Sequence, residues 1–144
     1  MRVVVDTNTI ISALFWGGVP WQVYSAALSE QYTLLTTDSL VNELHSVLLR
    51  PKFAPALMAI QRTADEIVIE YREIAEPVIP SEIGADDVRD ANDRVVLACA
   101  VGGKADYIVS GDKDLLVLET YRDIPIMKAA RFIQVLAERR RDEG

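Results

Sequence analysis

Short β-branched runs alternate along the chain with longer stretches in which apolar residues recur every three or four positions. The run Arg2-Val3-Val4-Val5 predicts a buried strand that ends at the polar triplet Asp6-Thr7-Asn8. After Ile10-Ile11-Ser12-Ala13-Leu14-Phe15 comes a Gly17-Gly18-Val19-Pro20 break, and a helix is expected from about Trp21 to Ser29. Tyr32 to Leu35 reads as a second short strand. Thr37 or Asp38 can cap a helix that runs to about Leu49 and is ended by Pro51. Its stripe is Leu40, Val41, Leu44, Val47 and Leu48, and Glu43 lies beside that stripe, where it can reach inward. A further helix covers about Thr63 to Ile74, and Pro77, Pro80 and Gly84 then mark a loop.

Asp90 is placed to cap a helix from about Ala91 to Val101, with Val96, Leu97, Ala100 and Val101 inward. Asp93 falls on that same stripe, and a carboxylate there calls for an explanation. Gly102-Gly103 closes the helix, Tyr107-Ile108-Val109 forms the next strand, and Ser110-Gly111-Asp112-Lys113-Asp114 follows directly. Ile124-Pro125-Ile126-Met127 reads as an edge strand because of its proline, followed by a helix with Phe132, Ile133 and Leu136 inward. This alternation predicts an α/β sandwich with a mainly parallel sheet, as one domain over residues 1–144. Such sheets bind ligands beyond the carboxyl ends of their strands, which is where Asp6 and Asp112 fall.

Composition narrows the function classes. Half of the residues are apolar, enough for a core, yet no run is long enough for a signal peptide or membrane span, so a soluble cytoplasmic protein is expected. The single cysteine, Cys99, sits among apolar neighbours and excludes a disulfide framework or a cysteine-based zinc site. Twenty-two acids against 15 Lys plus Arg give a net charge of -7, the wrong sign for passive wrapping of nucleic acid. Any such contact must be local, with Arg50, Lys52, Arg89, Arg94, Lys104 and the run Arg139-Arg140-Arg141 as candidates; the run is better read as a solvated helix end. His45 is the sole histidine, and no nucleophile-elbow pattern accompanies it. Trp16 and Trp21 could stack on a base or meet a second copy, although ordinary packing is the better reading. Residues 53–83 show helical spacing that fits packing or an oligomer contact.

The acids are more informative. Asp6, Glu43, Asp93 and Asp112 would repel one another in a shared, partly buried site unless a cation compensated. Oxygen-only ligands favour a hard ion such as Mg²⁺ or Mn²⁺, and the matching chemistry is hydrolysis of a phosphodiester. Each acid also has a structural use: Asp6 as the cap of a turn, Asp112 as the cap of the short helix after it, Asp93 as a dipole partner, Glu43 as an exposed helix residue. Together those uses explain less than one shared site does. Asp90 ranks lower as an N-cap and Asp114 as an optional ligand, while Thr7, Asn8 and Ser110 can orient ligands or phosphate.

Five segments carry a family resemblance: Val5-Asp6-Thr7-Asn8, Ser12-Ala13-Leu14, Leu40-Val41-Asn42-Glu43-Leu44, Arg89-Asp90-Ala91-Asn92-Asp93, and Ala105 to Leu116 with Ser110-Gly111-Asp112-Lys113-Asp114 inside it. Through them the whole chain resembles a PIN domain, and specifically the prokaryotic toxin components of the VapC-like kind. The resemblance implies a three-layer α/β/α sandwich and an acidic quartet at Asp6, Glu43, Asp93 and Asp112, with Asp114 as the frequent fifth acid. It implies a Mg²⁺- or Mn²⁺-dependent endoribonuclease acting as the toxin of a type II toxin-antitoxin system. Its partners would be an RNA substrate, a second copy in a homodimer or higher homo-oligomer, and a small antitoxin that blocks the site. The competing readings are a metal-dependent DNA nuclease or phosphatase with the same carboxylates, and a non-catalytic PIN-like module that binds RNA or protein.

Overall fold

In the computed structural model residues 1–143 are described, and Gly144, the last residue of the expected domain span, lies outside them. The first β-branched run forms β1 (Arg2–Val5) at the middle of the sheet. On one side lie β2 (Thr33–Thr36) and then β3 (Ala75–Pro77); on the other lie β4 (Tyr107–Val109), β6 (Ile124–Met127) and the two-residue β5 (Thr120–Tyr121). All pairings are parallel except β5 with β6. The chain therefore builds outward from β1 in both directions, which leaves a crevice at the carboxyl ends of β1 and β4.

Strand alternation sorts the core into two layers. Val3, Val5, Leu34 and Val109 face one side, where they meet α1 (Thr7–Trp16), α2 (Gly18–Leu28), α3 (Asp38–Leu48), α5 (Ala64–Ile74) and α8 (Ala129–Glu143). Val4, Leu35 and Ile108 face the other, against Val96, Leu97 and Ala100 of α6 (Ala91–Gly102) and Leu115 of α7 (Lys113–Leu116). The result is the α/β sandwich with a mainly parallel sheet that the alternation of elements predicts, in the three-layer α/β/α form that the resemblance implies. Thr37, Thr63 and Asp90 each cap the following helix through a side-chain oxygen. No helix among the described residues is long and apolar enough to cross a membrane.

Several local expectations give way to tertiary effects. α1 begins directly after Asp6, and α2 starts at Gly18 rather than near Trp21, because Gly17 and Gly18 at φ of 69° and 68° make the break by themselves. Pro20 then falls in the first turn, where no backbone N–H is required. A turn of 3₁₀ helix at Pro51–Phe53 leads into α4 (Ala54–Ile60) within the stretch that gave least from sequence. The strand containing Pro125 is not an edge: β6 lies between β4 and β5. The proline is tolerated because the β4 pairing takes in Ile126 and Met127, beyond it, while the other side is covered by a strand of two residues. Trp16 is 68% exposed and Trp21 42%, so neither is a core residue, although Trp16 meets Phe15 and Phe53 edge-on and Trp21 stacks on Tyr24.

Gly102 and Gly103 end α6 for a reason other than left-handed backbone. Neither has a positive φ, and that conformation falls instead on Lys104 at 54°. A Cβ on Gly102 would stand 2.0 Å from the carbonyl oxygen of Ile79 and 2.8 Å from the nitrogen of Ser81, so the glycine admits the crossing 79–81 segment. That segment is pinned there by the Ser81 N–H, which donates to the carbonyl of Ala98 at 3.0 Å. Gly102→Ala is expected to cost about 2 kcal/mol or more and to lower Tm by about 4–8 °C. Gly84→Ala, at a position with nothing within 4 Å of the new methyl, is expected to stay within about 0.5 kcal/mol of the parent protein. Thermal melts of the two variants measure the contrast, and equal melting temperatures would refute the close-approach account.

Candidate metal centre

The ends of β1 and β4 and the helices α6 and α3 supply the acidic side chains. Asp6 follows β1, and its Oδ1 accepts from the Thr9 N–H at 2.9 Å, capping α1. Asp112 follows β4 and caps α7 by accepting from the Asp114 N–H at 2.8 Å. Ser110, fully buried, joins the two: its hydroxyl donates to Asp6 Oδ2 at 2.5 Å and accepts from the Asp112 N–H at 3.0 Å. The helix cap foreseen for Asp112 is therefore real, and Asp6 caps helix α1 where the sequence suggested a turn. These bonds occupy part of each carboxylate and leave further lone pairs available.

Asp93 lies in the first turn of α6, on the inward stripe, and is only 4% exposed. Its carboxylate converges with those of Asp112 and Asp114, one oxygen from each lying within 4.8 Å of the other two. Asp93 Oδ2 is buried and has no hydrogen-bond partner. Burial, then the hydrogen bond with Asp112, then the charges of Asp112, Asp90 and Asp114 push its pKa up to about 7. Glu43 reaches in half-buried from α3. Burial raises its pKa, a hydrogen bond from the Thr7 side chain partly opposes that, and the neighbouring charges of Asp6 and Asp90 raise it further.

The sequence-selected acids are thus neighbours in pairs: Glu43 feels the charge of Asp6, Ser110 links Asp6 to Asp112, and Asp112 meets Asp93. Asp114, ranked as optional from sequence, belongs to the tightest group, whereas Asp6 and Glu43 stand outside that trio. Asp90 caps α6, accepting from the Asn92 N–H at 2.7 Å, and its charge is felt by both Glu43 and Asp93. Asn8 is exposed and lines a cleft of about 450 Å³, together with Asp6, Ser12, Gly111, Asp112 and Lys128. Lys128 was not selected from the sequence. The signal was present, since it directly follows the strand residue Met127 just as Asp6 follows Val5. Arg94, a candidate for a local cationic contact, instead braces its own loop by donating to the carbonyls of Val88 and Arg89. His45 pairs with Asp65 at 2.9 Å on the surface, and Cys99 is buried.

The donor set fits a hard divalent cation. Oxygens sharing one Mg²⁺ would lie about 3 Å apart if adjacent and about 4 Å apart if opposite, so the trio would draw closer together to hold an ion. An orphaned carboxylate oxygen in a buried, like-charged cluster is the feature a cation would satisfy.

The profile of the PIN domain family matches residues 2–114, most of the chain, and the protein belongs to that family. PIN domains are generally nucleases that depend on divalent metal held by acidic residues. Neither the curated proteins nor the solved structures contain a match to this chain.

Two outcomes follow for the metal-free protein. A pKa raised on folding means that the native state keeps a proton which the unfolded chain releases, so stability falls as pH rises from about 4 to about 7. In chelator, Asp93→Asn is expected to melt about 3–8 °C above the parent at pH 8, equivalent to about 1–2 kcal/mol, and close to it at pH 5. A difference that does not change with pH would contradict the buried-charge account. Ser110→Ala removes the hydroxyl tying Asp6 to Asp112, and calorimetric titration should show Mg²⁺ or Mn²⁺ affinity reduced about 10- to 100-fold.

Proposed function

We propose that this PIN domain is a Mg²⁺- or Mn²⁺-dependent endoribonuclease and the toxin component of a type II, VapC-like toxin-antitoxin pair. The observation that carries the metal-dependent reading is the unpartnered Oδ2 of buried Asp93 within a cluster completed by Asp112 and Asp114. A pure binding surface for a polyanion gains nothing from acids that repel phosphate, whereas a hydrolytic centre needs them. The RNA substrate, the antitoxin and the homodimer rest on the sequence resemblance.

In this reading Asp93, Asp112 and Asp114 hold the ion, with Asp6 and Glu43 completing the site. When bound, the ion supplies charge neutralisation at the phosphate and activates water toward attack. Ser110 fixes the spacing between Asp6 and Asp112, so two ligands arrive already oriented. Thr7 holds Glu43, whose half-buried carboxylate with its raised pKa is suited to accept the proton that the attacking water gives up. One P–O bond forms to the water oxygen and one breaks to the leaving nucleoside oxygen, which takes up a proton. The products are one strand ending in phosphate and one ending in hydroxyl.

Purified protein incubated with mixed single-stranded RNA is expected to cleave it in Mg²⁺ or Mn²⁺ and to stop in chelator. Asp93→Asn should lower the rate at least about 100-fold, since it removes a charged ligand while keeping the shape of the side chain. A folded parent protein that binds metal but leaves RNA intact would redirect the proposal to another phosphate ester. One that binds no metal would end it.

A further inference from the structure

The acids described above explain how a cation would be held but leave open how a chain of net charge -7 holds a polyanion against them. The cleft beside Asp6 and Asp112 offers an answer. It opens on the flank of Asp112 away from the trio, since neither Asp93 nor Asp114 lines it. Lys128 is the one cationic side chain in its lining.

The sheet fixes that position. β1, β4 and β6 are neighbours, with Val5 opposite Val109 and Val109 opposite Met127. The Asp6 N–H donates to the Val109 carbonyl and the Ser110 N–H to the Met127 carbonyl, both at 3.0 Å. Asp6, Ser110 and Lys128 are thus the first residues beyond three adjacent strands, side by side on one lip. With strands about 4.8 Å apart, the Lys128 backbone stands one strand spacing from Ser110 and two from Asp6. Its side chain is exposed and forms no ion pair among the described residues, so it is not spent on neutralising the acids. Lys128 also lies beyond the segment matched by the family profile.

We propose that Lys128 holds the backbone phosphate next to the one being cleaved, so that the site favours a nucleic-acid strand with at least one phosphodiester beyond the scissile bond. This rests on the nuclease reading above and extends it from the acids to the substrate. An ammonium acts on phosphate as a point charge and carries no base preference. Lys128 therefore sets strand affinity and the preference for internal bonds, and leaves sequence choice to other parts of the surface.

The test compares the parent protein with Lys128→Gln and Lys128→Arg on two substrates, a labelled single-stranded RNA oligonucleotide and bis(4-nitrophenyl) phosphate, which has a single diester. Lys128→Gln should raise KM for the oligonucleotide about tenfold with kcat within about twofold, leave the small diester unaffected, and lower the slope of log affinity against log salt by about 0.7. Lys128→Arg should restore most of the loss. Unchanged KM and salt slope would overturn the proposal. Equal losses on both substrates, with a weakened Mg²⁺ titration, would also overturn it, by showing that the lysine acts on the acids. If the parent cuts neither substrate, the nuclease reading fails separately. Anisotropy of the intact oligonucleotide in Ca²⁺ then decides for Lys128: a reduced salt slope in Lys128→Gln keeps the phosphate contact, and an unchanged one removes it.

Discussion

Carboxylates gathered at one partly buried place repel each other, and the fold must hold them there against that repulsion. It does so mainly by giving three of the acids a second attachment to the backbone. Asp6, Asp90 and Asp112 each accept an N–H in the first turn of a helix, where the helix dipole also favours negative charge. The buried Ser110 hydroxyl then links two of them across the gap between β1 and β4. Asp93 has no comparable attachment for Oδ2, and its raised pKa records the imbalance. The parallel sheet makes this arrangement possible because it reverses its winding at β1, so that two strand ends open onto one crevice.

Much of this was legible in the sequence, for physical reasons. A β-branched or aromatic run that gives way to a polar segment marks a strand end, and that rule located Asp6 directly after Val5 and Asp112 three residues after Val109. Helical spacing located both helix acids, since Asp93 on an apolar stripe has to point inward and Glu43 beside one can reach inward. The same reasoning left Asp114 an optional ligand, since its approach to Asp93 depends on α6 and the start of α7 coming together. It also missed Lys128, which follows its strand as Asp6 follows β1 but whose place beside Ser110 comes from the β4–β6 register.

The remaining differences are of the same kind. Pro125 marks an edge locally, but β5 folds back over its strand. Gly102 resembles a helix stop, but its missing side chain makes room for a segment more than 20 positions earlier. Trp16 and Trp21 look like core residues by type, yet they sit at a glycine break that carries both to the surface. Period and composition report which face a residue presents within its own element. They do not report what arrives from elsewhere to cover that face.

The double duty of the capping aspartates shapes how this protein can decay. Asn caps a helix nearly as well as Asp, so Asp6 or Asp112 can lose its charge and still hold the start of its helix, whereas Ala there forfeits about 1 kcal/mol. At Asp93 the loss of charge relieves a burial cost. Inactivating changes at these positions are therefore among the gentlest the scaffold can accept. A lineage released from selection for chemistry would pass through folded, silent descendants whose former catalytic edge is free to be inherited as a recognition surface.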